Sequence, residues 1–175
     1  SRPRRLLDHR NIMNILIIGT GALASLFAAR LTQAGHIITM LGTWREGLDA
    51  LNQNGVRLVD ADGVETQYSV FATNDPHECA DIQHAIVLVK AWQTERVASQ
   101  LKDCLADDGI ALTLQNGHGN YETLIQSLGL PRVALGSTST GATLLEPGLV
   151  KAGGEGILSL EQNQALSPLE AGLKS

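Results

Sequence analysis

One short stretch of this chain has the residue types and spacing of an anion-binding turn. Gly19-Thr20-Gly21-Ala22-Leu23-Ala24 is a GxGxxG pattern with alanine in the third position, a permitted variant of the dinucleotide fingerprint. Each position has a physical task. Gly19 allows a tight turn. Gly21 has no Cβ, so a pyrophosphate can approach backbone N–H groups at a helix N-terminus, where the helix dipole is positive. Ala24 is small enough to bring helix and strand together. About twenty residues further on, an NAD site usually offers a carboxylate to the ribose 2′-hydroxyl. This chain offers Leu41-Gly42-Thr43-Trp44-Arg45 instead, with no carboxylate before Glu46. A hydroxyl at Thr43 and a guanidinium at Arg45 suit a 2′-phosphate, which a carboxylate would repel, so the expected cofactor is NADP(H). Trp44 or Arg45 could also stack on the adenine. A structural glycine turn in an α/β domain without ligand is the alternative.

Other chemistries find little support. Cys79 and Cys104 have neither CxxC nor metal-ligand spacing, and read as buried free thiols of a cytoplasmic protein. The five histidines are scattered, so no metal site is expected. The chain has 13 cations and 18 acids, a net charge of −5, and a nucleic-acid surface would need a basic face. Four of the cations are Arg2, Arg4, Arg5 and Arg10, in a segment without the apolar core of a secretion signal. Residues 1–12 read as a leader, with Met13 as the working start. Mean hydropathy is +0.03, and no apolar run reaches the roughly 18–20 residues of a membrane span. Neither nucleic acid nor membrane is an expected partner.

The elements that position the turn follow from periodicity. NILII before Gly19 is a continuous apolar run, the mark of a strand buried on both faces. Apolar residues from Leu23 to Leu31 then recur at helical spacing, Gly35 stops the helix, and IITML forms a second strand. This is a β-α-β unit. Beyond it the pattern predicts a short helix over 44–52 and a hairpin of VRLVD and VETQYSVFA about Asp62-Gly63. A strand at 84–90, a helix at 94–105, a strand at 109–117 and a helix at 120–128 follow. Strand and loop at 133–142 precede two short strands, LVKA and GILSL. Strands alternating with helices imply a doubly wound, mostly parallel Rossmann-type sheet, whose ligands bind beyond the strand carboxyl ends.

With these pieces placed, the sequence resembles the ketopantoate reductase (2-dehydropantoate 2-reductase) family. The resemblance runs through NILIIGTGALASLFAARLTQAGH, VLVKAWQT, LTLQNGHGNYETL and GSTSTGATLLEPGLVKAGGEG. It implies NADPH-dependent reduction of a small 2-oxo acid to a 2-hydroxy acid, ketopantoate to pantoate, on the pantothenate route to coenzyme A. It maps the family's glycine turn onto Gly19–Ala24, its cofactor-contacting lysine onto Lys90, and its asparagine between nicotinamide and substrate onto Asn116. The small residue beside the nicotinamide maps onto Ala142. Lys90 and Asn116 are thereby expected at the substrate as well. Alone, Lys90 reads as a snorkelling lysine and Asn116-Gly117 as a plain turn. Trp92 and Gln93 read as packing and local bonding.

The sequence departs from the family in three places. Thr43 stands where many members have arginine, and His118 where an aliphatic residue is usual. The family's proton-donating lysine and its substrate-binding asparagine, serine and glutamate lie in a following helical domain. No catalytic residue is therefore assigned within these 175 residues, and little turnover is expected of them alone. Residues 13–160 form the expected cofactor domain, and 161–175 the approach to the helical one. An apolar flank left for that domain would allow homo-oligomer formation. Two further readings stand beside this one: a non-catalytic NADP-binding module, and a reductase of the same type acting on a different oxo acid.

Overall fold

The computed structural model describes residues 12–90, 93–114, 120–154 and 156–174. The apolar run at Asn14–Ile18 is strand β1, and its last four residues are buried. It lies inside a seven-stranded sheet, flanked by β2 (Ile37–Leu41) and β6 (Ile82–Val87), both parallel to it. β5 (Phe71–Thr73) extends the sheet beyond β2. β7 (Leu105–Thr113) and β8 (Val133–Thr138) extend it beyond β6, again in parallel. β11 (Leu158–Leu160) closes the far edge antiparallel to β8.

The order is β5-β2-β1-β6-β7-β8-β11. Its six parallel strands thus run 3-2-1-4-5-6 in their own sequence of appearance, the doubly wound order, with the switch point between β1 and β6.

Helix α1 (Ala22–Gln33) crosses between β1 and β2. It ends as its glycine predicts. Gly35 has φ +101°, its N–H donates to Thr32, and the His36 N–H donates to Leu31, the paired bonds of a Schellman cap. α1 buries Ala24, Ser25, Leu26, Phe27, Ala28, Ala29 and Leu31, more than one stripe, and such all-round burial means contact on several sides. The second side is a four-stranded sheet that the sequence reading did not foresee. It comprises β3 (Val56–Val59), β4 (Glu65–Tyr68), β9 (Ala142–Glu146) and β10 (Leu149–Ala152), in the order β4-β3-β10-β9.

The expected strand VETQYSVFA therefore divides. Its first half pairs with β3 around Asp60, whose Oδ1 accepts the N–H groups of Asp62 and Val64. Its second half joins the main sheet as β5. LVKA and GILSL likewise part, into β10 and β11 of different sheets.

Helices α3 (Thr94–Cys104) and α4 (Asn120–Leu128) contribute Val97, Leu101, Leu124 and Leu128 to the core on the other face of the main sheet. Residues 161–174 do not trail away. A 3-10 turn, Gln164–Leu166, leads into α5 (Ser167–Leu173), which places Leu166, Leu169 and Leu173 in the same core as α1. The Arg30 guanidinium donates to the Leu173 carbonyl (3.1 Å), and His84 Nε2 bonds the Ala165 carbonyl (2.9 Å).

Candidate functional site

Beyond the carboxyl end of β1 the chain turns sharply at Gly19, whose φ is +130°. A Cβ there would stand 3.1 Å from the Leu88 carbonyl oxygen and 3.5 Å from the Ala24 methyl. The turn needs glycine for its torsion and for its nearness to the strand. Gly19 N–H donates to Leu41 at the end of β2 (2.9 Å), and Leu88 N–H donates to Ile18 (2.9 Å), so three strand ends are tied at one point. Gly21 is different. It is the N-cap residue of α1, with φ −80° and no side-chain cap, and a Cβ added to it would meet nothing within 4 Å. Open space there faces the helix's first N–H groups, which have no intrahelical acceptor. The first turn of α1 carries no acidic residue. The cradle therefore fits a phosphate, and the space beside Gly21 is open to one.

This turn floors a cleft of about 290 Å³ at the switch point. One wall comes from the end of β2: Gly42, Thr43 and Trp44. Gly42 makes room for its neighbour, since a Cβ there would stand 2.7 Å from the Thr20 methyl. Helix α2 (Arg45–Asn54) starts directly after Trp44. The Trp44 ring lies so close over Gly47 that a Cβ at 47 would overlap it, and the indole is held with 38% of its surface exposed. The opposite wall comes from the end of β6 and the first turns of α3: Leu88, Lys90, Gln93, Arg96 and Gln100. Gln93 ties this wall together. Its N–H donates to the Lys90 carbonyl (2.9 Å), and its Oε1 accepts the Lys90 N–H (3.3 Å).

The charge in the cleft is one-sided. Among the described residues lining it there are two cations, Lys90 and Arg96, and no carboxylate. Both are exposed, and neither side chain is engaged in a salt bridge or hydrogen bond among the described residues. Two unpaired cations, a helix N-terminus and an apolar floor of Ile18 and Leu41 suit a ligand with phosphates and a flat ring system.

The structure brings Gly19, Thr20, Gly21, Thr43 and Lys90 into this one cleft, with Ala22, Leu23 and Ala24 forming the first turn of α1 behind it. Arg45 opens α2 but does not line the cleft. Ala142 begins β9, in the second sheet, opposite Ala152, and does not line it either. Asn116, with His118 and Trp92, lies outside the described residues. Residue Asn120 follows directly, its Oδ1 accepting from Thr94 Oγ1 at 2.8 Å in a buried bond that joins the starts of α3 and α4.

Sequence reasoning missed Gly42, Arg96 and Gln100. The last two had a legible signal. Gln93, Arg96 and Gln100 fall at i, i+3 and i+7, one polar stripe of α3, bordering the buried face of Val97, Leu101 and Cys104.

Fold and cleft together define a Rossmann-type α/β domain with a glycine-turn site at its switch point. Within that class the chain belongs to the family described as Ketopantoate reductase PanE/ApbA, whose model matches residues 15–164. It is 34% identical over 145 residues to the 2-dehydropantoate 2-reductase of Halobacterium salinarum, covering 82% of this chain and 47% of the relative. It is 36% identical over 145 residues to the enzyme of that name from Archaeoglobus fulgidus, covering 83% and 46%. Among solved structures, a PanE/ApbA family ketopantoate reductase from Ralstonia eutropha superposes with a TM-score of 0.82 at 27% identity, covering 92% of this chain and 54% of that one. The chain spans about half the length of the curated relatives it matches. No helix among the described residues is long and apolar enough to cross a membrane.

Proposed function

We propose that this chain is the cofactor-binding part of an NADPH-dependent reductase that converts a small 2-oxo acid to a 2-hydroxy acid, with ketopantoate as the substrate. The observation that carries the reading is Gly21. Its missing Cβ faces open space at a helix N-terminus, inside a cleft whose described lining holds two cations and no carboxylate.

When bound, the nicotinamide supplies hydride to the carbonyl carbon. The protein's own groups do the rest. Backbone N–H groups of the turn and the first turn of α1 hold the pyrophosphate. Gly42 and Thr43, in the cleft lining, would border the ribose, and Trp44 would cover one side of the adenine. Lys90, held by Gln93, places its charge where phosphate or the substrate carboxylate approaches. Asn116 is assigned to orient nicotinamide and substrate through its amide. The proton for the nascent alkoxide is assigned to a lysine of a following helical domain; neither Lys151 nor Lys174 is proposed for it.

Titration of the chain with NADPH and NADH, alongside an assay with ketopantoate, tests this reading. Expected are binding of NADPH more tightly than NADH, and little turnover by these residues alone. Failure of both nucleotides to bind below millimolar concentration would overturn the site. Efficient turnover would overturn the assignment of proton donation to a following domain.

A further inference from the structure

The geometry points to Arg96, on α3, as the residue that recognises a 2′-phosphate on the cofactor's adenosine ribose, a task sequence spacing assigns to Thr43 and Arg45. The inference rests on the proposed dinucleotide site and deepens it.

The ribose of a nucleotide seated on the glycine turn lies past the end of the second parallel strand, here Leu41 and Gly42. Thr43 lines the cleft at that point, and its neutral hydroxyl can give a phosphate one hydrogen bond. Arg45 lies two residues further on, inside the first turn of α2 and outside the cleft lining. The charge in the described lining comes from the other wall. Arg96 stands one turn beyond Gln93 on the stripe of α3 that faces the cleft. Its guanidinium has no partner among the described residues, so it need not abandon an ion pair to meet a ligand.

Lys90 follows the end of β6, and Arg96 lies six residues on, in α3. With two cations in the described lining, one is available to each of two anionic groups. A guanidinium offers a planar fork that matches phosphate bidentately, and nothing in the described lining would repel a dianion.

The test uses the whole chain and two probes, adenosine 2′,5′-bisphosphate and adenosine 5′-monophosphate, titrated calorimetrically. Arg96→Ala is expected to weaken the bisphosphate about tenfold or more and the monophosphate by less than about twofold, the effect of losing one charge-assisted pair. Arg96→Lys should recover part of the loss, since lysine restores the charge without the fork. Arg96 is exposed, so thermal midpoints of the variants should match the parent.

Equal losses for both probes would make Arg96 an adenine contact and overturn the inference. A preference that survives Arg96→Ala but disappears in Arg45→Ala would return the role to the β2–α2 loop. A parent chain that binds NADPH and NADH equally would also overturn it, leaving the dinucleotide site standing. A parent chain that binds neither would overturn the site itself.

Discussion

Gly42, at the end of β2, is held against Thr20 of the glycine turn so closely that a Cβ at 42 would stand 2.7 Å from the Thr20 methyl. Thr20 is only 9% exposed, so its side chain has little space in which to retreat. The floor of the cleft and its β2 wall are thereby set by one another, through a glycine that no fingerprint marks.

Gly42→Ala should therefore disturb the turn from outside it. Overpacking of this kind costs about 1–3 kcal/mol. Loss of stability together with weaker NADPH binding is expected, measured by denaturant unfolding and by titration. A variant with parental stability and affinity would show that Thr20 yields freely.

The two glycines of the turn should respond oppositely. Gly21→Val places its side chain in open space at an ordinary φ, so unfolding should stay within about 0.5 kcal/mol of the parent, while nucleotide binding is lost. Gly19→Ala forces a side chain into φ +130° and against the Leu88 carbonyl, and should destabilise the fold by about 1–3 kcal/mol. Comparable destabilisation by both would remove the distinction between a structural and a ligand-facing glycine.

Stability should fall on the acid side of neutrality through His36. Burial, and secondarily the nearby His84, lower its pKa from the ordinary 6.5, and its Nδ1 accepts the Met13 N–H at 3.2 Å. The unfolded chain then binds the proton more readily than the folded one. The contribution is complete above 6.5 and is lost as pH falls below that value toward the folded-state pKa. Urea midpoints should drop from about pH 8 to about pH 5, and less steeply in His36→Asn, which keeps an acceptor but no titrating ring. An identical slope in that variant would assign the effect elsewhere.

The two cysteines should be silent in the folded protein. Cys79 and Cys104 are 3% and 0% exposed. The neighbouring Cys104 thiol, and burial, push Cys79 up, while Cys104 Sγ reaches the Pro76 carbonyl at 3.3 Å. Reaction with an aromatic disulfide reagent should await unfolding, because thiolate and access are both required. Prompt labelling without denaturant would contradict this.

How much of this was legible beforehand depended on the range of the interactions involved. The buried strand, the glycine turn, α1 with its stop at Gly35, and the start and end of α4 all rest on period, torsion and caps within a few residues, and these are written locally. The alternation of elements sufficed for a doubly wound sheet. The four-stranded second sheet was not legible, because β3 and β10 are nearly a hundred residues apart and their register, Arg57 opposite Leu149, exists only once the chain is folded. The same limit decided the cations. By spacing, Arg45 is the obvious partner for a ribose, because it follows β2 directly. Arg96, some fifty residues later, enters the same cleft because β6 lies beside β1 and starts α3 along the cleft wall. Sequence determined that a turn for an anion exists, since that requires only glycine and a helix end. Tertiary structure decided which charges face it, since strand order brings distant residues to one crevice.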